Sequence, residues 1–486
     1  YFLINSIKSM NELKKKTIVS TFSLFFQSGY SAFLGLIANL VLTIILSPKI
    51  FGIYITLLST IAFLNYFSDI GLAASLIQKR KIDEDDIKSV FTFQQILILS
   101  LITLGFLLSP LIVNFYHLPR EGLFLYHALL ISFFISSLKT IPSVFLERKI
   151  AYQKIVLVQI VESTLFYLTV ITLAVLQFNL WSFTIAVLLR AVAGLVFIYI
   201  LSPWRPRIGI KWKNFQQLIS FGFPFQASSF LALFKDDLII LYLGKAIGFE
   251  GVGYIGWAKK WAEAPIRIIM DNITKVLFPL VARLQENKKK VGKIIEKILY
   301  YQTGFILPIM VLAYFIMPKL VYLIPRYQKW TTAIPLFHIF VVSSFLVIYL
   351  APFVNIFNAL GKVKLSFNLM IFWTLITWFF TVALTNFFGI YGFPITHLIV
   401  SSTFIIVLIL AKKIVPFSFF KPIKKFLIAG GLMIILILII DKIKIENLYL
   451  SSLLILIGGS LVYIGSLILV FKLKIKEILK EIEIIN

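Results

Sequence analysis

The sequence predicts an all-α integral membrane protein with fourteen transmembrane helices, set out as two blocks of six and a final pair. Three observations lead there. Sixty per cent of the 486 residues are hydrophobic, 14% are charged and the mean hydropathy is +0.96. Soluble domains carry about 25% charged residues, so no polar shell can cover this chain. Its apolar runs reach about 20 residues, the length a helix needs to cross a bilayer and about twice that of a membrane-spanning strand. Finally, lysine and arginine cluster after every second run.

The first block has apolar runs at 18–46, 51–77, 90–116, 122–144, 155–177 and 180–201. A polar, basic gap, SPWRPRIGIKWKN at 202–214, closes it. The second block has runs at 215–243, 251–283, 294–318, 331–359, 365–388 and 390–411, and the last pair covers 422–441 and 448–471. The expected domains are therefore 15–201, 215–412, the pair 421–471 and a basic tail at 472–486. The first methionine, Met10, opens MNELKKKT; either it is the biological start or the sequence is truncated ahead of Tyr1. The first apolar run is too long for a cleaved signal peptide.

Orientation follows from the cations, because cytoplasmic loops are enriched in Lys and Arg. With the N-terminus inside, 32 of the 47 cations fall in cytoplasmic segments and 8 in external loops. A missed or invented helix would scramble this alternation downstream. Both termini are thus expected in the cytoplasm of a cell (inner) membrane. The formal charge of +26 is mostly topology and does not signal nucleic acid. The anionic partners expected are membrane lipid headgroups or a lipid-linked substrate. The chain has no cysteine and four scattered histidines, which excludes thiolate chemistry and argues against a metalloenzyme.

Seven cations remain inside the runs: Lys139, Arg190, Lys235, Lys259, Lys260, Arg267 and Lys275. An ionisable group inside a membrane is costly and faces water or a partner. In the eighth run, Lys260, Glu263, Arg267, Asp271 and Lys275 are spaced by three or four residues, which puts them on one helix face with alternating sign. That face reads as lining a wet cavity, or as a self-neutralised interfacial stripe. Lys235, Asp236 and Asp237 are consecutive in the seventh run and cannot share a face. Arg190 has no charged neighbour in its run and must find a partner in space or bind substrate. Asp69, Glu162 and Lys139 lie nearer the cytoplasmic end and read as structural pairs or snorkelling groups. His338 and His397 read as satisfied core residues.

The two blocks echo each other. LSPKIFGIYITLLSTIAFLNYFSDIG from Leu46 and LGKAIGFEGVGYIGWAKKWAEAPIRIIMDN from Leu243 each run through a short turn and a glycine–tyrosine feature into a long helix. Blocks of even helix number with the same orientation make parallel repeats. Together with FGFPFQASSFLALFKDDLIILYLGKAIGFEGVGY at 221–254, VLFPLVARLQENKKK at 276–290, FNALGKVKLSFNL at 357–369 and FGIYGFPITHLI at 388–399, these stretches carry a resemblance over nearly the whole chain. The sequence resembles the polysaccharide transporter (Wzx-type O-antigen flippase) family of the multidrug/oligosaccharidyl-lipid/polysaccharide (MOP) exporter superfamily. Asp237, Gly253, Tyr254, Pro279, Arg283, Gly361 and Lys364 stand where that family has its degenerate motifs.

The resemblance implies two six-helix lobes in a V-shaped arrangement around a central cavity, and no enzymatic activity. It implies a transporter that moves a lipid-linked (polyprenyl-pyrophosphate) oligosaccharide from the cytoplasmic to the outer leaflet by alternating access, for O-antigen or another surface polysaccharide. Polysaccharide polymerase and glycosyltransferases are the expected protein partners. From helix position, Arg190, Arg267, Lys275, Lys260 and Lys235 are the expected substrate-binding cations. Asp236, Asp237, Asp271, Glu263 and Asp69 are expected to balance them or to couple to H⁺ or Na⁺; no other cofactor is expected. The alternatives are a lipid II flippase, a MATE-like drug/cation antiporter, and, from a different class, a membrane glycan polymerase or glycosyltransferase. The longest external loop, about 319–330, is too short for an active site, and cations in the membrane argue against a cationic drug.

Overall fold

The computed structural model describes residues 2–68, 71–79, 81–212, 233–443 and 445–470. Among these residues every regular element is helical and no strand occurs, as expected where a lipid solvent leaves backbone groups only each other as partners. The chain packs as two compact units, Tyr1–Gly253 and Tyr254–Asn486.

The first unit contains α1 (Phe2–Ile45), α2 (Pro48–Ser68), α3 (Leu72–Gln78), α4 (Glu84–Leu107) and α5 (Ser109–Tyr116). It continues with α6 (Arg120–Ser137), α7 (Thr140–Arg148), α8 (Tyr152–Val175), α9 (Leu180–Leu201) and a helix at 233–246, α10. Several expected single spans are broken. Gly71 takes a left-handed φ of 73° and divides α2 from α3, a conformation that glycine adopts without a Cβ penalty. α6 and α7 meet at a bend of 40° beside Lys139. The close packing in this unit joins α1 to α8, α8 to α9, and α6 to α2, α4 and α9. Tyr30 and Thr164 hydrogen-bond at 2.7 Å across α1 and α8.

The basic connecting segments of this unit are held by specific contacts. Asp83 caps α4 by accepting from the Asp86 amide, and Asp86 accepts in return from the Asp83 amide, a reciprocal box that satisfies orphan donors. Buried Asp86 also binds Lys79 at 2.7 Å. Arg148 donates to the carbonyls of Leu76, Ile77 and Lys79, closing the C-terminal end of α3. The stretch after α9 lies along α4. There Arg207 meets Glu84 at 2.5 Å and Lys211 meets Asp85 at 2.9 Å, while the Gly209 and Lys211 amides donate to Thr92 and Ser89. The hydrogen bond to Asp85 raises the Lys211 pKa above its ordinary value.

The first turn of α2 and the residues opening α11 (Gly248–Arg283) approach backbone to backbone. A Cβ at Gly52 would stand 1.6 Å from the Phe249 carbonyl oxygen, and one at Gly253 would stand 2.0 Å from that of Pro48. Small residues permit such approach, which gives the glycines of both repeated turns a steric reason.

The second unit takes up the rest of α11, then α12 (Lys288–Leu323), a short 3₁₀ turn (Gln328–Ala333), α13 (Ile334–Val347), α14 (Ala351–Ala359) and α15 (Val363–Phe388). After a turn at Gly389–Tyr391 come α16 (Gly392–Ser402), α17 (Phe404–Ile414), α18 (Phe420–Lys442) and α19 (Leu448–Gly465). α11 is anchored by Trp257, whose indole N–H donates to the Tyr327 hydroxyl at 2.9 Å and whose ring stacks on Trp330 at 5.5 Å. The final pair packs on α12 through Leu307, Val311, Phe426, Met433 and Ile455, and the Tyr463 hydroxyl donates to the Gly304 carbonyl.

Ten helices among the described residues are long and apolar enough to cross a membrane, or eleven if α6 and α7 form one span. The expected count of fourteen is not reached on that measure. One stretch, Val363–Ile414, counts once although it turns at Gly389–Tyr391. The charged α11 is not among the ten, and much of the expected seventh run lies outside the described residues.

Candidate functional site

Among the described residues, each unit brings charged side chains of its helices together. In the first, Lys139 at the start of α7, Glu162 in α8 and Arg190 in α9 converge. Lys139 forms a tight ion pair with Glu162, and the Arg190 guanidinium lies 3.9 Å from the other carboxylate oxygen. The Glu162 side chain is 9% exposed and that of Arg190 is 51%. Arg190 also sits over the Phe166 ring at 5.8 Å. The three groups line a cavity of about 340 Å³ with Tyr54, Asn65, Ser132 and Ser136. Tyr54 is held by stacking on Phe183 at 4.0 Å.

Two cations, Lys139 and Arg190, face one carboxylate, that of Glu162. A lone charge at the centre of a spanning helix costs about 2.5–3.5 kcal/mol on insertion scales; Glu162 lowers that cost and leaves Arg190 half open. Hydroxyl and amide groups beside a planar, five-donor guanidinium suit an oxyanion. The carboxylate has room because residue 194 is glycine: a Cβ there would lie 1.7 Å from the Glu162 carboxylate. Gly194→Ala is therefore expected to displace the carboxylate and lower stability by about 1–3 kcal/mol, read as an earlier thermal transition of the purified protein.

In the second unit, α11 presents Lys259, Glu263 and Arg267 one turn apart. Arg267 binds Glu263 at 2.8 Å and Lys259 lies 3.8 Å from the other carboxylate oxygen. The Glu263 side chain is 17% exposed and that of Arg267 is 73%. Lys259 also lies over the Phe393 ring at 5.5 Å. From α16, His397 approaches Glu263 at 4.0 Å, and its other ring nitrogen hydrogen-bonds Ser343 at 2.9 Å.

These positions refine several expectations. Arg190 does find a partner in space, and the partner is Glu162. Lys139 and Glu162 form the structural pair expected of them. Lys260 is exposed, and the cation that meets Glu263 from the N-terminal side is its neighbour Lys259. Four residues turn a helix by 40° beyond a full circle and three leave it 60° short, so the i,i+4 partner stands closer in azimuth. Lys235 lies 3.8 Å from Asp236 on α10, and Asp237 follows on the same helix. Asp271 and Lys275 belong to α11, but their side chains lie outside the described residues, as does Asp69 entirely. His338 donates its Nε2–H to the Tyr314 carbonyl at 3.1 Å and stacks on Tyr314, as a satisfied core residue. His397, read the same way in the sequence, instead belongs to the charged cluster. The signal for the first constellation was present: two lone cations and one lone carboxylate in neighbouring runs need one another.

Residues 41–335 match the family described as polysaccharide biosynthesis protein. The chain belongs to that family. This chain is 24% identical to the teichuronic acid biosynthesis protein TuaB of Bacillus subtilis over 62% of each chain. It is 24% identical to the lipopolysaccharide biosynthesis protein WzxC of Escherichia coli over 70% of this chain and 69% of that one. The match to TuaB thus spans under two thirds of that relative's length. The lipid II flippase MurJ in an inward closed conformation superposes with a TM-score of 0.71 at 16% identity, covering 94% of this chain and 99% of MurJ. An inward-facing multidrug resistance MATE transporter of the MOP superfamily gives 0.61 at 16% identity, covering 79% and 95%. The chain is a multi-pass membrane protein with this fold.

Proposed function

We propose that this protein is a transporter that carries a lipid-linked oligosaccharide from the cytoplasmic to the outer leaflet for surface polysaccharide synthesis. The observation that carries the reading is the convergence of Arg190 and Lys139 on Glu162 along one cavity. A polyprenyl pyrophosphate or acidic sugar must cross about 30 Å of hydrocarbon, and such a wall replaces the hydration that its anion loses. The family membership and the names of its relatives support a glycan cargo. Arg190, Arg267, Lys260, Lys275 and Lys235 are the cations offered to the substrate. Glu263, Asp236, Asp237, Asp271 and Asp69 balance them or couple transport to H⁺ or Na⁺. The protein sits with both termini in the cytoplasm of the inner membrane, in keeping with its 32 inner cations, among anionic lipids and beside the polymerase and glycosyltransferases that make and use its cargo.

The test is deletion of the gene in its native cell. Lipid-linked oligosaccharide is expected to accumulate on the cytoplasmic side of the membrane while surface polysaccharide falls. Normal surface polysaccharide with no accumulation would overturn the reading.

A further inference from the structure

The first unit opens a further cavity, of about 560 Å³, which shares no lining residue with the Arg190 cavity. Three turns build it: the first turn of α2 with Lys49, the first turn of α6 with Glu121, and the α8–α9 turn with Gln177, Phe178, Asn179 and Trp181. Its size falls within the range of about 300–1,000 Å³ of small-molecule sites. The α8–α9 turn is fixed by its own backbone. The Gln177 and Phe178 amides donate to the Ala174 and Leu173 carbonyls, and the Trp181 and Ser182 amides to those of Phe178 and Asn179. Gln177 and Asn179 take positive φ values of 65° and 49°, which residues with a Cβ seldom adopt. Their carboxamides line the same cleft as Lys49 and Glu121. Among the described residues, none of these four polar side chains makes a hydrogen bond or ion pair with the protein. The exposed Trp181 ring is held by stacking on Phe124 at 5.2 Å.

We propose that this cleft is a carbohydrate-binding site that takes a pyranose residue. A pyranose has an apolar face of C–H groups and a rim of hydroxyls. The exposed rings of Trp181 and Phe178 suit that face, because an aromatic ring offers a large, rigid apolar surface. Each carboxamide both donates and accepts, Glu121 accepts and Lys49 donates, so the set serves hydroxyls in either sense. An acyl chain would leave these polar groups unserved, and a bare phosphate would meet the like charge of Glu121. The orientation proposed above puts the three turns on the outer side, where a glycan arrives after crossing. That role rests on the transport reading, whereas sugar binding is a property of the cleft.

The experiment uses the full chain in lipid nanodiscs. The probe is lipid-free oligosaccharide released by mild acid from the native cell's surface polysaccharide. Saturation-transfer NMR reads transfer from the protein to the sugar C–H protons, and a titration gives Kd. Glycine adopts positive φ freely, so Gln177→Gly with Asn179→Gly removes both carboxamides and leaves the turn its backbone. This double variant is expected to keep the thermal transition and to weaken Kd by about tenfold. Trp181→Ala is expected to weaken it by a similar factor and to reduce transfer to the stacked C–H protons. No transfer to the oligosaccharide, or an unchanged Kd in both variants, overturns the proposal. Transfer to glycerophosphoethanolamine in place of the oligosaccharide assigns the cleft to a lipid headgroup and also overturns it. The titration involves no transport, so its failure is distinct from failure of the deletion test.

Discussion

Replacing Arg190 and Arg267 together by alanine is expected to abolish glycan export while the protein still accumulates in the membrane. Both guanidinium groups are largely open, at 51% and 73% exposure, and each shares its carboxylate with a lysine that stays in place. Lys139 still satisfies Glu162, and Lys259 still faces Glu263. The variants therefore lose donors without stranding a buried anion. A charge-assisted hydrogen bond contributes about 1.5–3 kcal/mol, so each arginine is expected to account for roughly a tenfold to hundredfold change in rate. Surface polysaccharide measured against membrane-protein level reads the effect. Arg→Lys at the same positions keeps the charge but loses the planar fork, and should export at an intermediate rate. Full export by the double alanine variant would remove these residues from the substrate path.

Glu162→Gln is expected to be the most damaging single change to stability. It leaves Lys139, 19% exposed, and Arg190 facing a neutral amide. Removing one member of a buried ion pair costs about 3–5 kcal/mol. The lower end is expected, because Lys139 sits at a helix break where its long side chain can reach the interface. Thermal unfolding in detergent measures the loss. Adding Lys139→Met to Glu162→Gln removes the stranded charge and should recover much of the transition. A Glu162→Gln protein as stable as the original would show that the pair bears no weight.

How much of this was legible in the sequence depended on which interactions are local. Hydropathy placed the apolar runs, because lipid imposes helix and length together. It could not place the breaks: Gly71 and Lys139 fall inside runs that stay apolar as a whole. On α11, one-dimensional spacing located the charged face, yet it selected Lys260 over Lys259, since both lie within about a turn of Glu263 and the i,i+4 geometry favours Lys259. Arg190 with Glu162, and His397 with Glu263, are contacts between helices distant in sequence, and no periodicity encodes them.

The missing side chain at Gly194 has a consequence beyond this one molecule. The Glu162 carboxylate occupies the volume that any other residue there would fill, so neither position is free to drift alone. Across related proteins the two should covary: where a side chain replaces the glycine, the acid should be shortened or lost, and the arginine on the same helix should have changed its counter-ion. A family alignment would then report the history of this ion pair through a residue that carries no charge.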